Sequence, residues 1–144
     1  MSDRLEVIHH EGHDPSINSL FVPAIKVRAG QLVFISGVTA APVYHDHPHI
    51  ASDFDQIPTD AEGQARLVYE HLDLVLTAAG CARTDVVVLT RFLTDVDGDQ
   101  DIINRLQMAF FGDHLPTSTT VEVTRLATDP RLRLEIQATA VAPA

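Results

Sequence analysis

Residues 131–141, which read RLRLEIQATAV, restrict the fold of this chain more than any other stretch. Apolar and polar side chains alternate along the segment, and a period of two is the period of a β-strand. The apolar set is Leu132, Leu134, Ile136, Ala138 and Ala140, and the polar set is Arg131, Arg133, Glu135, Gln137 and Thr139. We therefore predict a strand whose apolar face packs under helices, while its polar face meets water, a ligand or a second chain.

Residues 59–79 are predicted to form the first helix. Thr59 and Glu62 have the spacing of a capping box, and Gly80 supplies a C-terminal stop. Apolar residues recur between these signals at steps of four and three, which places them on one helical face. They are Ala61, Ala65, Val68, Leu72, Val75 and Ala79.

The remaining segments complete an alternation of strands and helices. A second helix is predicted over about 98–111, ending at Gly112. Its predicted apolar face consists of Ile102, Leu106, Ala109 and Phe110. Strands are predicted at 4–9, 22–28, 31–37, 85–94 and 118–126. This order indicates an α+β fold with both helices on one face of a sheet, and 144 residues suit a single domain over 1–144.

The composition restricts the partners and the location that we expect. The net charge is −10, and the ten Lys and Arg residues are scattered, so most of the surface would repel a nucleic acid. No apolar run is long enough to cross a bilayer, and the N-terminus lacks the apolar core of a signal peptide. We therefore expect a cytoplasmic protein without a membrane or nucleic-acid partner. Cys81, the single cysteine, is expected to be a small semi-buried hydrophobic residue.

Five strings of residues occur in the order and spacing of a known family. They are SGVTAAP at 36–42, AAGCARTDVVVLTRFLTDVDG at 78–98, IINRLQMAFFGDHLP at 102–116, TSTTVEVTRL at 117–126 and LRLEIQATAVA at 132–142. Together they resemble the RidA/YjgF family of reactive-intermediate deaminases, also known as L-PSP endoribonucleases. The resemblance extends over roughly 20–142, and it weakens in the histidine-rich segment after Pro42.

The resemblance implies an assembly and a chemistry as well as a fold. The family fold is a mixed sheet of about six strands with two helices packed on one face, similar to chorismate mutase. Three subunits assemble as a homotrimer with their sheets facing inward, and small-molecule ligands bind in the clefts between subunits. Family deaminases hydrolyse enamines and imines, such as 2-aminoacrylate, to a carbonyl compound and ammonia. They work without a metal, so no cofactor is expected.

Glu135 is the expected catalytic residue. It matches the acidic residue that the family carries on its last strand, and a carboxylate with a tuned pKa suits the positioning of water and the transfer of protons at an imine carbon. The alternative is that Glu135 is a solvated or interface charge on a polar strand face, close to Arg133.

Other positions of the family's pocket are matched to different degrees. Ser36 and Gly37 match the turn whose backbone lines the pocket, and Thr120 stands where many members carry cysteine or threonine. Asn104 matches a helix asparagine, with an exposed polar helix residue as the alternative. Phe21 lies near the family's pocket tyrosine without its hydroxyl group, and the alternative is a packing residue.

Ser118 is the main departure from the family. Active members read P-x-R-[ST] after the second helix, and this chain has serine at the arginine position. A serine cannot bind a carboxylate through two charged hydrogen bonds as a guanidinium does, and losing a charge-assisted hydrogen bond lowers the binding free energy by about 1.5–3 kcal/mol. We therefore expect an altered substrate. One hypothesis is that Arg91 supplies the missing positive charge from the ligand-facing side of its strand; the alternative is a salt bridge at a subunit interface.

Three functions follow from these observations. The first is an enamine or imine deaminase with altered specificity. The second is a trimer without catalysis that binds or senses a small metabolite. The third, an endoribonuclease, is disfavoured by the acidic net charge of −10.

The segment PVYHDHPHIASDFD, residues 42–55, concentrates His45, His47 and His49 at alternate positions. Histidine is a common metal ligand, but a catalytic zinc site needs three ligands and a structural one needs four. Three interpretations remain open: a solvated, partly mobile loop, a lid on the neighbouring pocket, or a metal site completed by threefold symmetry. We expect no metal.

Overall fold

The structure is a computed structural model that describes residues 3–144. In chain order its elements are β1 (Leu5–Ile8), β2 (Ala24–Val27), β3 (Gln31–Val38), α1 (Ala61–Ala78), β4 (Val86–Leu93), α2 (Val96–Phe111), β5 (Thr117–Glu122) and β6 (Leu134–Ala142). Short 3-10 helices occur at Ala51–Phe54 and Arg83–Asp85. The elements follow the predicted order, with ends that differ from the predicted ends by a few residues.

The strands form one mixed four-stranded sheet and a separate two-stranded sheet. The larger sheet has the order β3-β6-β4-β5, in which β6 is antiparallel to both neighbours and β4 is parallel to β5. The smaller sheet is the antiparallel pair β1-β2. Leu5 and Ile25 of this pair pack on Val87 and Val141 of the larger sheet. The predicted α+β class with two helices and a mixed sheet is confirmed, with its six strands divided between two sheets.

The core lies between the larger sheet and the two helices. On β6 and just before it, the alternating set Leu132, Leu134, Ile136, Ala138 and Ala140 is buried, as predicted. The buried face of α2 is rotated from the predicted one: Ile103, Gln107, Phe110 and Phe111 point inward, and Ala109 is exposed. The apolar pattern predicted the wrong face because the inward face of α2 includes a polar residue, Gln107. Within residues 3–144, no helix has both the length and the hydropathy needed to cross a membrane.

Asp60, and not the predicted Thr59, caps the N-terminus of α1. Its carboxylate accepts a hydrogen bond from the amide of Gly63 at 3.0 Å, and its backbone is extended as a capping residue requires. Asp60 therefore satisfies one of the free amides at the start of the helix.

The Asp60→Ala variant is expected to lower the free energy of unfolding by about 1 kcal/mol, because it removes this cap. Thr59→Ala, the neighbouring control, is expected to leave the stability nearly unchanged. Urea unfolding followed by circular dichroism measures both. An equal loss in the two variants would contradict the assignment of the cap.

The segment between β3 and α1 is exposed along most of its length, as the solvated-loop interpretation expects, and it is anchored at its C-terminal end. Phe54 is 1% exposed and belongs to the main core. Arg131 donates hydrogen bonds to the carboxylate of Asp55 at 2.8 Å and to the carbonyl of Ala51 at 2.9 Å. The histidine-rich segment is therefore held against the body of the domain at its C-terminal end.

Candidate functional site

The site begins at a β-bulge in β3. Ile35 pairs with Ala138 of β6, and the next pair is Val38 with Ile136, so Ser36 and Gly37 have no partner on β6. A bulge interrupts the ladder and redirects the backbone, which is common beside active sites. Here it lies beside the side chain of Glu135 on the neighbouring strand β6.

Glu135 of β6 packs against the bulge at Gly37. A β-carbon built on Gly37 would lie 2.5 Å from the Glu135 Oε2 and 2.8 Å from its Cδ. The carboxylate therefore rests on the backbone of Gly37, and a larger residue at position 37 would require the Glu135 side chain to move. The structure brings together three of the sequence-predicted site residues, Ser36, Gly37 and Glu135.

These residues line a cavity of about 350 Å³. One wall is the bulge, and another is formed by the start of the histidine-rich segment, including Pro42, Val43 and His45. Val75 of α1 and Thr128 complete the lining. Thr128 was missed from the sequence, because it lies in an irregular connection where no period indicates which side chains point inward.

Burial raises the pKa of the Glu135 carboxyl group. The cause is desolvation, since a charged carboxylate is less favourable in the cavity than in water. Arg133 does not counteract it, because the Arg133 guanidinium binds Asp99 through two hydrogen bonds of 2.8 and 2.9 Å. Within residues 3–144, no hydrogen bond restrains the Glu135 carboxylate. Glu135 is therefore a carboxyl group with a raised pKa that is free to meet a ligand.

Arg91 does not lie on the side of the sheet that we expected. It pairs with Ile136 across β4 and β6, whereas Glu135 pairs with Phe92, so the two side chains point to opposite faces. Arg91 is 3% exposed and lies under the helices. It donates to Thr120 Oγ1 at 2.9 Å and to Gln107 Oε1 at 3.1 Å. The hypothesis that Arg91 shares a pocket with Glu135 is therefore wrong for the single chain.

The other predicted site residues lie apart from Glu135. Ser118 and Thr120 of β5 pair with Leu89 and Arg91, and so they share the helix-facing side of the sheet. Asn104 borders a different surface depression, together with Asn18 and Leu20. Phe21, which is 51% exposed, lines a third depression formed by the N-terminal segment.

Asn104 has an unusual environment for a helix residue. Its Oδ1 atom is buried, and it has no hydrogen-bond partner among residues 3–144. Buried amide oxygens are nearly always paired, because an unpaired one loses its hydration without compensation. The exposed-residue alternative for Asn104 therefore does not describe this atom.

The face of the larger sheet that points away from the helices carries exposed apolar side chains. Leu32, Phe34, Val88 and Val121 are all at least 40% exposed, and Phe34 reaches 78%. Strand pairing places Phe34 and Val88 opposite Thr139, on the same side as Glu135. We call these four residues the open sheet face. Apolar patches of this kind mark surfaces that another molecule covers.

Comparison with known proteins identifies relatives that extend over nearly the whole chain. The family model described as Endoribonuclease L-PSP matches residues 12–142. The protein named putative reactive intermediate deaminase TdcF, of Escherichia coli strain K12, is 35% identical over 118 residues, which cover 80% of this chain and 82% of TdcF.

Two solved structures have a similar fold. The first is YyfB of Yersinia pestis, described as a conserved Rid family protein of unknown function; its TM-score is 0.77 at 27% identity, covering 96% of this chain and 98% of that one. The second is E. coli TdcF with bound serine, whose TM-score is 0.64 at 30% identity, covering 96% of this chain and 99% of that one. The similarity therefore includes both helices and the mixed sheet.

Proposed function

This chain belongs to the RidA/YjgF family, and from that premise we propose that it is a deaminase that hydrolyses enamine or imine intermediates to a carbonyl compound and ammonia. The observation that carries the proposal is the Glu135 carboxyl group, which rests on Gly37 inside the cavity with a raised pKa. A pKa closer to neutrality suits a group that must both accept and donate a proton.

The proposed reaction starts from the protonated imine and has three proton transfers. Glu135 accepts a proton from a water molecule as the water oxygen attacks the C=N carbon and forms a neutral carbinolamine. Glu135 then returns this proton to the amino nitrogen, the C–N bond breaks as ammonia leaves, and the hydroxyl group of the carbinolamine loses its proton to solvent as the C=O bond forms. The backbone at Ser36 and Gly37 is proposed to orient the substrate, since neither residue has a register partner on β6 and both line the cavity.

We propose that the protein acts as a homotrimer. The open sheet face supports this, because four exposed apolar side chains on one face are costly for an isolated chain. The unpartnered Asn104 Oδ1 gives independent support, since a ligand or a neighbouring subunit would supply the missing donor. In such an assembly, Asn104, Phe21 and Ser118 of one chain would complete the cavity that Glu135 forms in the next.

Phe34→Asp is expected to convert the trimer into a monomer, because it would place a charge in an apolar interface at every subunit contact. Leu74→Asp is the matched control: Leu74 is also exposed, at 61%, but lies on α1 away from the sheet. Size-exclusion chromatography with light scattering should give three times the 15.7 kDa chain mass for wild type and control. A trimer of Phe34→Asp would contradict the proposed interface.

The altered specificity is proposed from Ser118. Without an arginine at this position, the substrate carboxylate loses a bidentate partner, so the preferred substrate is one that is held by other groups. Ammonia release should be assayed on 2-imino acids formed in situ by an amino-acid oxidase, and on 2-aminomuconate-type compounds. The proposal expects catalysed release on at least one of them, with the 2-imino acids the weaker substrates. No acceleration on any substrate would overturn the deaminase proposal.

The second candidate is a trimer that binds a small metabolite without catalysis. Ser118 favours it, because loss of a substrate-binding arginine is expected when an enzyme becomes a binding protein. Saturable binding of a small molecule such as serine, without ammonia release, would support this candidate. An endoribonuclease is not proposed, since the −10 net charge and the scattered basic residues offer no surface for a polyanion.

A further inference from the structure

The three histidines of the segment between β3 and α1 converge in space. One ring nitrogen from each of His45, His47 and His49 lies within 4.8 Å of the other two. The ring centroids are 4.5 to 5.1 Å apart. Two nitrogens bound to one tetrahedral zinc ion are roughly 3.4 Å apart, so small side-chain rotations close the remaining gap. We propose that these three histidines form a binding site for a divalent transition-metal ion.

A hydrogen bond sets the tautomer of His45 and leaves one of its ring nitrogens with a lone pair for a metal ion. The His45 Nδ1 lies 2.8 Å from the carbonyl oxygen of Pro42. Because a carbonyl only accepts, Nδ1 must carry the proton, and the lone pair is left on Nε2. Histidine ligands in metal sites commonly donate their second ring N–H to a carbonyl or carboxylate, which orients the ring and makes the other nitrogen more basic.

The histidine rings are supported from the core. The rings of His45 and His49 pack edge-on against Phe54, with centroid distances of 5.4 and 5.7 Å. Phe54 is fully buried, and the Arg131 contacts to Asp55 and Ala51 fix the chain on either side of it. The rings of His45 and His49 are therefore partly ordered before an ion binds, and this lowers the entropic cost of binding.

The ligands indicate the class of ion. Three neutral imidazoles suit Zn²⁺, Cu²⁺ or Ni²⁺ and do not suit Mg²⁺ or Ca²⁺, which prefer oxygen ligands. Asp46 and Asp53 border His45 in an adjoining depression, and their negative charge favours a cation there. One chain supplies three ligands, so a coordination position is left open, as in zinc sites that bind water or substrate.

This site goes beyond the proposed deaminase function and is independent of it. His45 also lines the Glu135 cavity, so a bound ion would place positive charge at the rim of that cavity. The prediction from the sequence, that no metal binds, rested on the family's chemistry. The sequence alone did not show that the three side chains converge, because alternating residues in an irregular segment have no defined common side.

The test is Zn²⁺ binding to tag-free protein, measured by competition with a chromophoric chelator. We expect one Zn²⁺ per chain for wild type, and at least about a 100-fold loss of Zn²⁺ affinity in His47→Ala. Mutating a residue that only hydrogen-bonds to a metal ligand already lowers metal affinity by about 10–100-fold, and losing a ligand itself should cost at least as much. Zn²⁺ should also raise the midpoint of thermal unfolding of wild type and not that of His47→Ala.

A double variant, His9→Ala with His13→Ala, is the matched control. These two rings stack on each other at 3.6 Å in the exposed N-terminal segment, so the variant removes two surface imidazoles without changing the proposed ligands. It should keep wild-type affinity within about twofold. Equal Zn²⁺ affinity of His47→Ala and wild type, or no binding by either, would overturn the metal site. Because no substrate is present, this result is separate from that of the deaminase assay.

Discussion

Glu135→Gln is expected to reduce the rate of ammonia release by about 10²–10⁴-fold, the usual contribution of a general acid–base group. Glutamine keeps the shape of the side chain and its fit against Gly37 but cannot transfer a proton. Because the loss is in the chemical step, kcat should fall much more than KM rises. Steady-state ammonia release on the best substrate of wild type measures the effect.

The matched control is Glu70→Gln, the same change on the exposed surface of α1, and it should leave activity unchanged. Unfolding is not expected to explain the loss in Glu135→Gln. The pKa of the Glu135 carboxyl group is raised in the folded state, so its contribution to the stability falls as the pH rises from the pKa of the unfolded chain to that of the folded chain. A neutral amide avoids this loss, and Glu135→Gln should therefore be at least as stable as wild type near pH 7. Unchanged kcat in Glu135→Gln would contradict the proposed mechanism.

Gln107→Leu is expected to lower the free energy of unfolding by about 3 kcal/mol, because it removes the acceptor shared by two buried groups. The Gln107 Oε1 accepts hydrogen bonds from Tyr69 Oη and from Arg91 Nη1, each at 3.1 Å. Within residues 3–144, no carboxylate forms an ion pair with Arg91. Leucine at position 107 would leave the buried guanidinium with two neutral neighbours, the hydroxyl groups of Thr120 and Tyr69.

A double-mutant cycle isolates the role of Arg91. Arg91→Met should change stability little, since an apolar side chain of similar length removes a buried charge that has no anionic partner. In the Arg91→Met background, Gln107→Leu should cost much less than it does alone. Additive losses would contradict the coupling. If Arg91→Met keeps its stability but loses substrate affinity, Arg91 serves the ligand after all.

The sequence predicted those parts of the fold in which one period dominates. The alternation in β6 correctly separated Ile136 and the other buried residues from Glu135, because successive side chains of a strand point to opposite faces of the sheet. The inward face of α2 was mistaken because Gln107 is buried by its hydrogen bonds with Tyr69 and Arg91, and these partners are distant in sequence. A hydrophobic period is read from the polarity of each residue, and it contains no information on hydrogen-bond partners elsewhere in the chain.

The grouping of residues around the cavity was predictable only where the family resemblance marked them. The resemblance brought together Ser36, Gly37 and Glu135, which share the cavity of the folded chain. Arg91 was assigned to the wrong face, because its placement depends on the register of β4 against β6. The convergence of the three histidines depends on the anchoring of Phe54 and Arg131, which no local pattern indicates.

The bulge at Ser36 and Gly37 has a consequence for how such a protein changes during evolution. In the proposed site, a ligand contact made by main-chain groups would survive any substitution that keeps the bulge, whereas the segment after Pro42 forms another wall of the same cavity through its side chains. Mutations in that segment would then alter ligand choice while Glu135 and the bulge stay intact. On the proposed function, new specificities would arise on this scaffold by changes in one segment, with no intermediate that has lost Glu135.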